Sequence, residues 1–293
     1  MLFRSAAQVD ALIAQLLALR DAPVVEPYSG PAIIMNRAAA MFFHEIFGHR
    51  IEGHRQKDED EGQTFTKKVG QSIMPAFLTV TDDPTRAAFG ETVLNGKYLY
   101  DEEGQPAQPV TLVDRGVLRG FLMGRSPIEN FPKSNGHGRA QAGLPTVARQ
   151  GNLLVRSSKT MPFAELREQL VAEITAQGKP YGLMFQDIAG GFTFTGRAMP
   201  QAFKVTPLVV YRVYPDGRPD ELVRGVDLVG TPLTSIEKIL ATGDDDAVFN
   251  GYCGAESGWV PVSAVAPSLL VGQMEVEKKG KDYERPPLLP PPL

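Results

Sequence analysis

The stretch FKVTPLVVYRVYPDGRPDELVRGVDLVG, residues 203–230, decides the fold class of this chain. Two apolar runs rich in β-branched residues flank the turn-forming residues 215–217, a pattern that predicts an antiparallel hairpin. TLVDRGVLRGFLM, residues 111–123, predicts a second hairpin that turns at 114–116. Short β-prone runs separated by Gly, Pro, Asp and Asn continue from about residue 72. We therefore predict an α+β fold on a mostly antiparallel sheet, barrel-like or a sandwich, and disfavour all-α and doubly wound folds.

Three other segments have the apolar spacing of helices. Residues 6–20 predict one amphipathic helix near the start of the chain. Residues 161–178 predict a second helix, with Thr160 or Ser158 as its cap. Its apolar stripe consists of Phe163, Leu166, Leu170 and Ile174. Residues 234–243, TSIEKILATG, predict a shorter helix that ends at its last glycine.

A fourth helix is predicted over residues 37–54, RAAAMFFHEIFGHRIEGH, with Asn36 as its cap. Its Ala and aromatic residues predict burial over much of its surface. Three of the four histidines of the chain, His44, His49 and His54, lie within it. This clustering makes the segment the first candidate for a functional site.

The composition excludes several classes of protein. The 293 residues carry 30 Lys and Arg against 34 Asp and Glu, a net charge of -4, so the chain lacks the basic field that binds nucleic acid. Cys253 is the single cysteine, which excludes an internal disulfide. Prolines interrupt the longest uncharged stretch, residues 257–274, which therefore does not predict a membrane span. We expect a cytoplasmic protein with no nucleic-acid or membrane partner.

Two segments are predicted to lie outside the ordered core. KDEDEG, residues 57–62, is a charge run typical of a solvated loop. The Pro-rich tail, residues 281–293, ends in RPPLLPPPL and predicts an extended polyproline arm or a disordered segment.

His44, Glu45 and His49 place two imidazoles and a carboxylate on one helical segment, as zinc hydrolases do. In the common HExxH motif the histidines are four residues apart, whereas here they are five apart, which separates them by roughly 140° on an ideal helix. Shared metal binding therefore requires local unwinding or a π-bulge, and Gly48 lowers the cost of either. The alternative is that His44 packs in the core while His49 faces solvent.

A metal site needs a third ligand, and Cys253 is the candidate. It lies in FNGYCGAESGWVPV, where nearby glycines allow a close approach of the backbone to a site. A single cysteine is more often a small buried apolar residue. Two imidazoles, a thiolate and a water would nevertheless complete a catalytic zinc shell. Glu45 would then accept the proton of the zinc-bound water as that water attacks a carbonyl.

Other residues are weaker candidates. Glu52 could hydrogen-bond a ligand imidazole without touching the metal itself. The flanking residues of His54 are typical of a solvated segment, so we do not expect it to bind metal. His137 or Arg139 in the loop SNGHGRAQ could orient a substrate, although a surface turn is the commoner role of such a loop. The Gly190-Gly191 pair follows a predicted strand and could let a peptide backbone approach a sheet edge.

The segments HEIFGHRIEG, residues 44–53, and GYCGAESGWVPVSAVAPSLLVGQMEV, residues 251–276, resemble the TldD/PmbA family of metallopeptidases, in particular its TldD-like branch. The resemblance extends in order over residues 31–278 and includes SNGHGRAQ, GLMFQDIAGGFTF and GVDLVGTPLTSIEKI. It implies a zinc peptidase in which His44, His49 and Cys253 hold the metal. Glu45 matches the catalytic glutamate of the family. The substrates implied are small or unfolded peptides, bound in extended form by strand addition inside a closed chamber.

The resemblance also implies a domain organisation. Family members carry a further amino-terminal domain, so residues 1–30 are interpreted as the remnant of that domain or a linker from it. Residues 31–280 are then the catalytic domain, and 281–293 the tail. The resemblance implies a homodimer or a heterodimer with a PmbA-like relative. The family usually has an acidic residue at the position of His54 and a polar non-histidine residue at that of His137, so neither histidine inherits a role.

Three functions therefore follow as hypotheses. The first is a zinc-dependent peptidase acting on small or unstructured peptides. The second is a non-catalytic peptide-binding or assembly subunit in which zinc is structural. The third is a deformylase-like amidase, because a His, His, Cys shell with a nearby Glu does not require a long peptide.

Overall fold

A computed structural model describes residues 6–57, 64–196 and 203–279 of the chain. Most of the charge run at 57–62 and the Pro-rich tail at 281–293 lie outside the described residues. The helices are α1 Ala6–Asp21, α2 Asn36–Ile46, α3 Phe163–Ala176 and α4 Pro232–Glu237. The strands are β1 Tyr28–Ile34, β2 Leu78–Asp82, β3 Ala88–Phe89, β4 Thr92–Val93, β5 Val110–Asp114, β6 Val117–Leu118, β7 Gly138–Arg139, β8 Val147–Ala148, β9 Asn152–Ser157, β10 Thr160–Met161, β11 Gly182–Thr193, β12 Phe203–Val213, β13 Glu221–Val223, β14 Val226–Gly230, β15 Ile239–Gly243, β16 Ala247–Ala255, β17 Gly258–Ala266 and β18 Leu269–Lys278.

Five strands close into a barrel. β1 pairs with β11, β11 with β12, β12 with β14, β14 with β18, and β18 returns to β1. All of these pairs are antiparallel except β1 with β11. The α+β, mostly antiparallel and barrel-like architecture predicted from the sequence is therefore confirmed.

A second sheet lies beside the barrel, in the order β16-β17-β9-β2-β5-β6. The predicted hairpin at 114–116 joins β5 to β6 here, and Asp114 pairs with Val117 across a two-residue turn. Arg115 and Gly116 both have positive φ, 45° and 79°, as a type I′ turn requires. The other predicted hairpin joins β12 to β13, also as expected. Turn residues thus set both registers correctly.

Helix α2 is placed between the two sheets. It packs against β11 and β12 of the barrel and against β9, β16 and β17 of the second sheet. Residues 38–46 are all buried, as the Ala-rich and aromatic sequence predicts. Small alanine side chains let both sheets approach the helix closely, and its aromatic side chains fill the main core. Any site on α2 is therefore held rigidly from two sides.

The other helices match the sequence in part. Leu166, Leu170 and Ile174 of α3 are buried, as predicted. Neither Thr160 nor Ser158 caps α3, because its N-cap is Pro162 and Thr160 belongs to β10, where it pairs with Thr242. Helix α1 is present, but its apolar residues Val9, Leu12, Ile13, Leu16 and Leu17 are exposed on this chain.

The prediction of one helix over 234–243 is wrong. Helix α4 ends at Glu237, and β15 follows from Ile239. β15 pairs with β18 and β10, and it buries Ile239 and Ala241. Completing the sheet thus outweighs a short helical pattern, because strand formation depends on the surrounding surface more than on local propensity.

Candidate metal centre

Helix α2 ends inside the histidine segment. The α-helix stops at Ile46, and 3-10 turns follow at Gly48–Ile51 and Gly53–Gln56. The prediction of one continuous helix over 37–54 is therefore wrong, and the local unwinding that shared metal binding requires is present. Asn36 is not the cap, because the N-cap is Met35 and the Asn36 N–H donates to Ser268 Oγ at 2.9 Å.

The break in the helix leaves little space for a side chain at position 48, where the sequence has a glycine. A Cβ on Gly48 would come within 1.9 Å of Gln150 Oε1, so a larger residue would displace that side chain. The Gln150 amide reaches the carbonyl oxygen of His44 at 3.4 Å, and Arg50 Nη1 donates to that of Glu45 at 3.3 Å. Side chains thus satisfy carbonyls that the end of an α-helix leaves without partners.

The break brings three candidate ligands together. The Nε2 atoms of His44 and His49 lie 3.2 Å and 3.3 Å from Cys253 Sγ. Ligand atoms of all three residues lie within 4.8 Å of one another, and all three residues are buried. Two imidazole nitrogens and a thiolate converging on one point suit Zn²⁺ with a position left open. The alternative that His49 faces solvent is excluded, because it is 7% exposed.

The three side chains shift one another's protonation. Burial by itself would raise the pKa of the Cys253 thiol, but the two imidazoles outweigh burial and hold that pKa well below its ordinary value. Burial would lower the pKa of His49, but Cys253 and Glu52 outweigh it and raise that pKa well above its ordinary value. Without a metal these shifts favour a thiolate beside a protonated His49 ring, and a metal cation would displace that proton on binding.

Glu45 faces the same space from the last turn of α2. It is 4% exposed, and burial raises the pKa of its carboxyl. Within the part of the chain that the structure describes, Glu45 Oε2 is buried and has no hydrogen-bond partner. A buried carboxylate oxygen without a partner is expensive, so its presence beside the ligands indicates a functional position.

Glu52 holds His49 from the side away from Cys253. Its Oε2 lies 3.3 Å from His49 Nδ1 and accepts a hydrogen bond from Arg55 Nε at 2.9 Å. Arg149 Nε lies 3.3 Å from its Oε1. Burial would raise the pKa of Glu52, but His49, Arg55 and Arg149 outweigh it and hold that pKa far below its usual range. The contact predicted between Glu52 and a ligand imidazole is therefore present.

An open cleft of about 1060 Å³ leads to this centre. Residues 189–193 of β11 form one wall, residues 249–255 of β16 form the other, and α2 forms the floor. Gly190 and Gly191 both line it. A Cβ on Gly191 would meet Glu45 Cγ at 2.9 Å, whereas one on Gly190 would meet no atom within 4 Å. The exposed rings of Phe192, Tyr252 and Trp259 also line the cleft.

The other candidates lie elsewhere. His137 is fully buried rather than in a surface turn, with Nε2 lying 3.2 Å from Asp82 Oδ1. Arg139 is buried too, and donates to the carbonyls of Gln150 and Pro261 at 2.8 Å and 2.7 Å. Neither residue lines the cleft. His54 pairs with Glu256 at the cleft rim, and its neighbours in the second 3-10 turn are buried, contrary to the expectation of a solvated flank.

Three further side chains at the site are not predicted from the sequence: Arg50, Arg149 and Gln150. Each is buried and bonds to the histidine segment or to the Cys253 strand. The local sequence gives no signal for Arg149 or Gln150, since both act on residues about a hundred positions away.

The sequence profile described as the PmbA/TldA metallopeptidase C-terminal domain matches residues 27–278. The chain belongs to this family. Among curated PmbA/TldA relatives, a metalloprotease of Methanothermobacter thermautotrophicus is 27% identical over 232 residues, which are 79% of this chain and 46% of that protein. A zinc metalloprotease TldD homolog of Saccharolobus solfataricus is 21% identical over 252 residues, which are 84% of this chain and 51% of that protein. The chain thus spans about half the length of these relatives.

The PmbA/TldA fold is also found in a solved structure. TldE from Thermococcus kodakarensis aligns with a TM-score of 0.65 at 14% identity, covering 92% of this chain and 55% of that one. Of the helices that the structure describes, none is long and apolar enough to cross a membrane.

Proposed function

We propose that this PmbA/TldA chain is a zinc-dependent peptidase that cleaves small or unstructured peptides. The observation that carries the proposal is the convergence of His44, His49 and Cys253 on one point in a cleft that Glu45 also lines, with its Oε2 unpartnered among the described residues. The names of curated relatives, metalloprotease and zinc metalloprotease, support the same reaction class.

The residues of the site have different roles in peptide hydrolysis. His44, His49 and Cys253 would hold Zn²⁺, which polarises a carbonyl and makes water more acidic. Glu45 accepts the proton of the attacking water and passes it to the leaving amine. The raised pKa that burial gives its carboxyl makes Glu45 a stronger base, which suits the step in which it accepts that proton. Glu52 holds the ring of His49 in a fixed orientation.

The walls of the cleft suit an extended peptide. β1 pairs with β11 only as far as Phe185, so residues 189–193 have a strand neighbour on the β12 side only among the described strands. β16 is the outermost strand of its sheet. A substrate strand can therefore lie along backbone N–H and C=O groups, while the glycines keep that approach open.

The proposal is tested by metal content and cleavage measured together. We expect about one zinc per chain, and we expect Glu45→Gln to keep the zinc while peptide hydrolysis falls at least about 100-fold, as for loss of a general base. A wild-type protein that holds no zinc after purification without chelator would overturn the proposal.

The two other hypotheses give different outcomes. With purely structural zinc, Glu45→Gln leaves function intact and Cys253→Ala unfolds the chain. An amidase of the deformylase kind prefers a formyl amide to a blocked hexapeptide. The size of the cleft and the strand edges at its walls favour the hexapeptide.

We also propose that the chain works as a homodimer or with a PmbA-like relative. The five apolar side chains of α1 support an interface, because a helix with exposed apolar residues is normally covered by a partner. Sedimentation of the purified chain, alone and with Leu16→Glu, tests this. A monomer at every concentration would exclude self-association and leave the relative as the candidate.

A further inference from the structure

The side chain of Arg149 joins the two regions that carry the candidate ligands. Arg149 follows β8 and is fully buried. Its Nη2 donates to the carbonyl oxygen of Cys253 at 2.8 Å. Its Nη1 donates to Ser257 Oγ at 2.9 Å and to the carbonyl oxygen of Gly258 at 3.2 Å. One guanidinium thus holds the β16–β17 hairpin on both sides of its turn.

The same guanidinium faces the histidine segment. Arg149 Nε forms an ion pair with Glu52 Oε1 at 3.3 Å that lacks hydrogen-bond geometry, and Glu52 Oε2 lies 3.3 Å from His49 Nδ1. A chain of contacts therefore runs from the ring of His49 through Glu52 and Arg149 to the backbone of Cys253. Both charged side chains are fully buried, so water does not replace any of these contacts.

We propose that Arg149 is a positioning residue of the metal site, which fixes the separation of His49 and Cys253 by holding Glu52 and the Cys253 carbonyl at once. The inference rests on the proposed metal site. A guanidinium suits the task because its planar fork presents several N–H groups in fixed directions, whereas a lysine ammonium is a single point charge. The residue acts through its neighbours and lies outside the cleft lining.

Arg139 provides a matched control. It is also a buried arginine, it donates to two carbonyls near the same hairpin, and its guanidinium lies 4.7 Å from the centroid of the Tyr98 ring. Within the described residues, its bonded partners include neither Cys253 nor Glu52. Arg149→Met and Arg139→Met therefore both remove a buried guanidinium. Of these two arginines, only Arg149 contacts Glu52 and the carbonyl oxygen of Cys253.

The test measures Zn²⁺ affinity by competition with a chromophoric chelator, for the wild-type chain and for Arg149→Lys, Arg149→Met and Arg139→Met. We expect about 10- to 100-fold weaker binding in both Arg149 variants, the range seen when groups that orient metal ligands are removed. We expect less than about a twofold change in Arg139→Met. With Co²⁺ as the probe, the thiolate-to-metal absorption band should weaken in Arg149→Met.

Folding is checked in metal-free protein by circular dichroism. Arg149→Lys keeps the buried positive charge. If Arg149→Met does not fold, Arg149→Lys therefore still tests the positioning role of Arg149. A double-mutant cycle with Glu52→Gln adds a second reading, because two residues in one contact chain should lose affinity less than additively.

Unchanged Zn²⁺ affinity in a folded Arg149→Lys or Arg149→Met protein would overturn the inference. An equal loss in Arg139→Met would do so too, since it would indicate packing alone. The outcome is separable from the proposed function. A chain that binds zinc but cleaves no peptide removes the peptidase and leaves this inference standing, whereas a wild-type chain without zinc removes both.

Discussion

Two buried histidine sites in this molecule have opposite characters. At the first, His137 contacts Asp82, and Asp82 Oδ1 also accepts hydrogen bonds from the backbone N–H groups of Gly151 and Asn152 at 3.1 Å and 3.0 Å. At the second, His44 and His49 point at Cys253 beside Glu45, which keeps an unpartnered oxygen within the described structure. The first site is satisfied and closed, while the second converges on a point and opens to a cleft.

The comparison shows that a histidine beside an acidic group is not by itself a functional signal. Burial is similar at both sites, since His137 is 0% exposed and His44 is 3% exposed. The difference lies in whether the polar atoms are used up by the protein. A satisfied network stabilises the fold, whereas convergent side chains with fewer protein partners suit the binding of a metal ion.

The largest expected effect comes from replacing one of the candidate metal-binding side chains. We expect Cys253→Ser to weaken Zn²⁺ binding about 100-fold, since the binding free energy of a zinc site, divided over its ligands, is about 3 kcal/mol each. His137→Asn should leave Zn²⁺ affinity unchanged. Competition with a chelator measures both, and equal losses in the two variants would contradict the distinction.

A substitution at the His137–Asp82 site should instead lower the stability of the protein. Asp82 accepts backbone hydrogen bonds at both carboxylate oxygens, and Asp82→Asn replaces it by a neutral amide with one acceptor oxygen. We expect the free energy of unfolding to fall by about 2 kcal/mol, because hydrogen bonds to charged groups contribute about 1.5–3 kcal/mol. Urea unfolding with chelator present measures the change. A stability equal to wild type would mean that this network is as dispensable as a surface pair.

A smaller effect is expected from the glycine that faces Glu45. Gly191→Ala would place a methyl group 2.9 Å from Glu45 Cγ and 3.0 Å from the carbonyl oxygen of Lys204, so Glu45 or the neighbouring strand must shift. We expect kcat to fall about tenfold, as small misplacements of catalytic groups do, with zinc retained. Gly190→Ala is the matched control, because a Cβ there meets no atom within 4 Å. Similar kcat values for the two variants would show that the position of Glu45 is not critical.

The smallest effect concerns the contact between His54 and Glu256 at the rim of the cleft. Burial would raise the pKa of Glu256, but His54 and Arg55 outweigh it and lower that pKa from 4.5 to about 2. A lowered pKa in the folded state means that the stabilisation is present above pH 4.5 and is lost as the pH falls towards 2. Glu256 is 44% exposed, so screening limits the contribution to less than about 1 kcal/mol. Unfolding of metal-free wild type and Glu256→Gln should show a larger difference at pH 6 than at pH 3, where the stabilisation is partly lost.

The sequence predicts those parts of the fold that depend on local chemistry. Both hairpins follow from their turn residues, and the buried stripe of α3 follows from its spacing. The helix predicted at 234–243 fails because β18 and β10 supply strand neighbours that a local pattern does not contain.

The site follows the same rule. Residue types select His44, His49 and Cys253 as candidate ligands, the structure brings them together, and Gly48 correctly indicates where the helix breaks. The reason for the glycine, the nearby Gln150 side chain, is not contained in the local sequence. Arg149 escapes notice for the same reason, because its role consists of contacts with Glu52 and Cys253, 97 and 104 residues away in sequence.

The unequal lengths of β1 and β11 also bear on aggregation. Closing a sheet into a barrel removes the unpaired edges along which two copies of a chain can join. β1 has seven residues and β11 has twelve, so one stretch of β11 has an edge that no other described strand of the barrel pairs with. That stretch lies within a cleft whose floor and rim carry Glu45 and Arg55. Charged side chains beside an exposed strand edge disfavour its pairing with the sheet of a second folded copy.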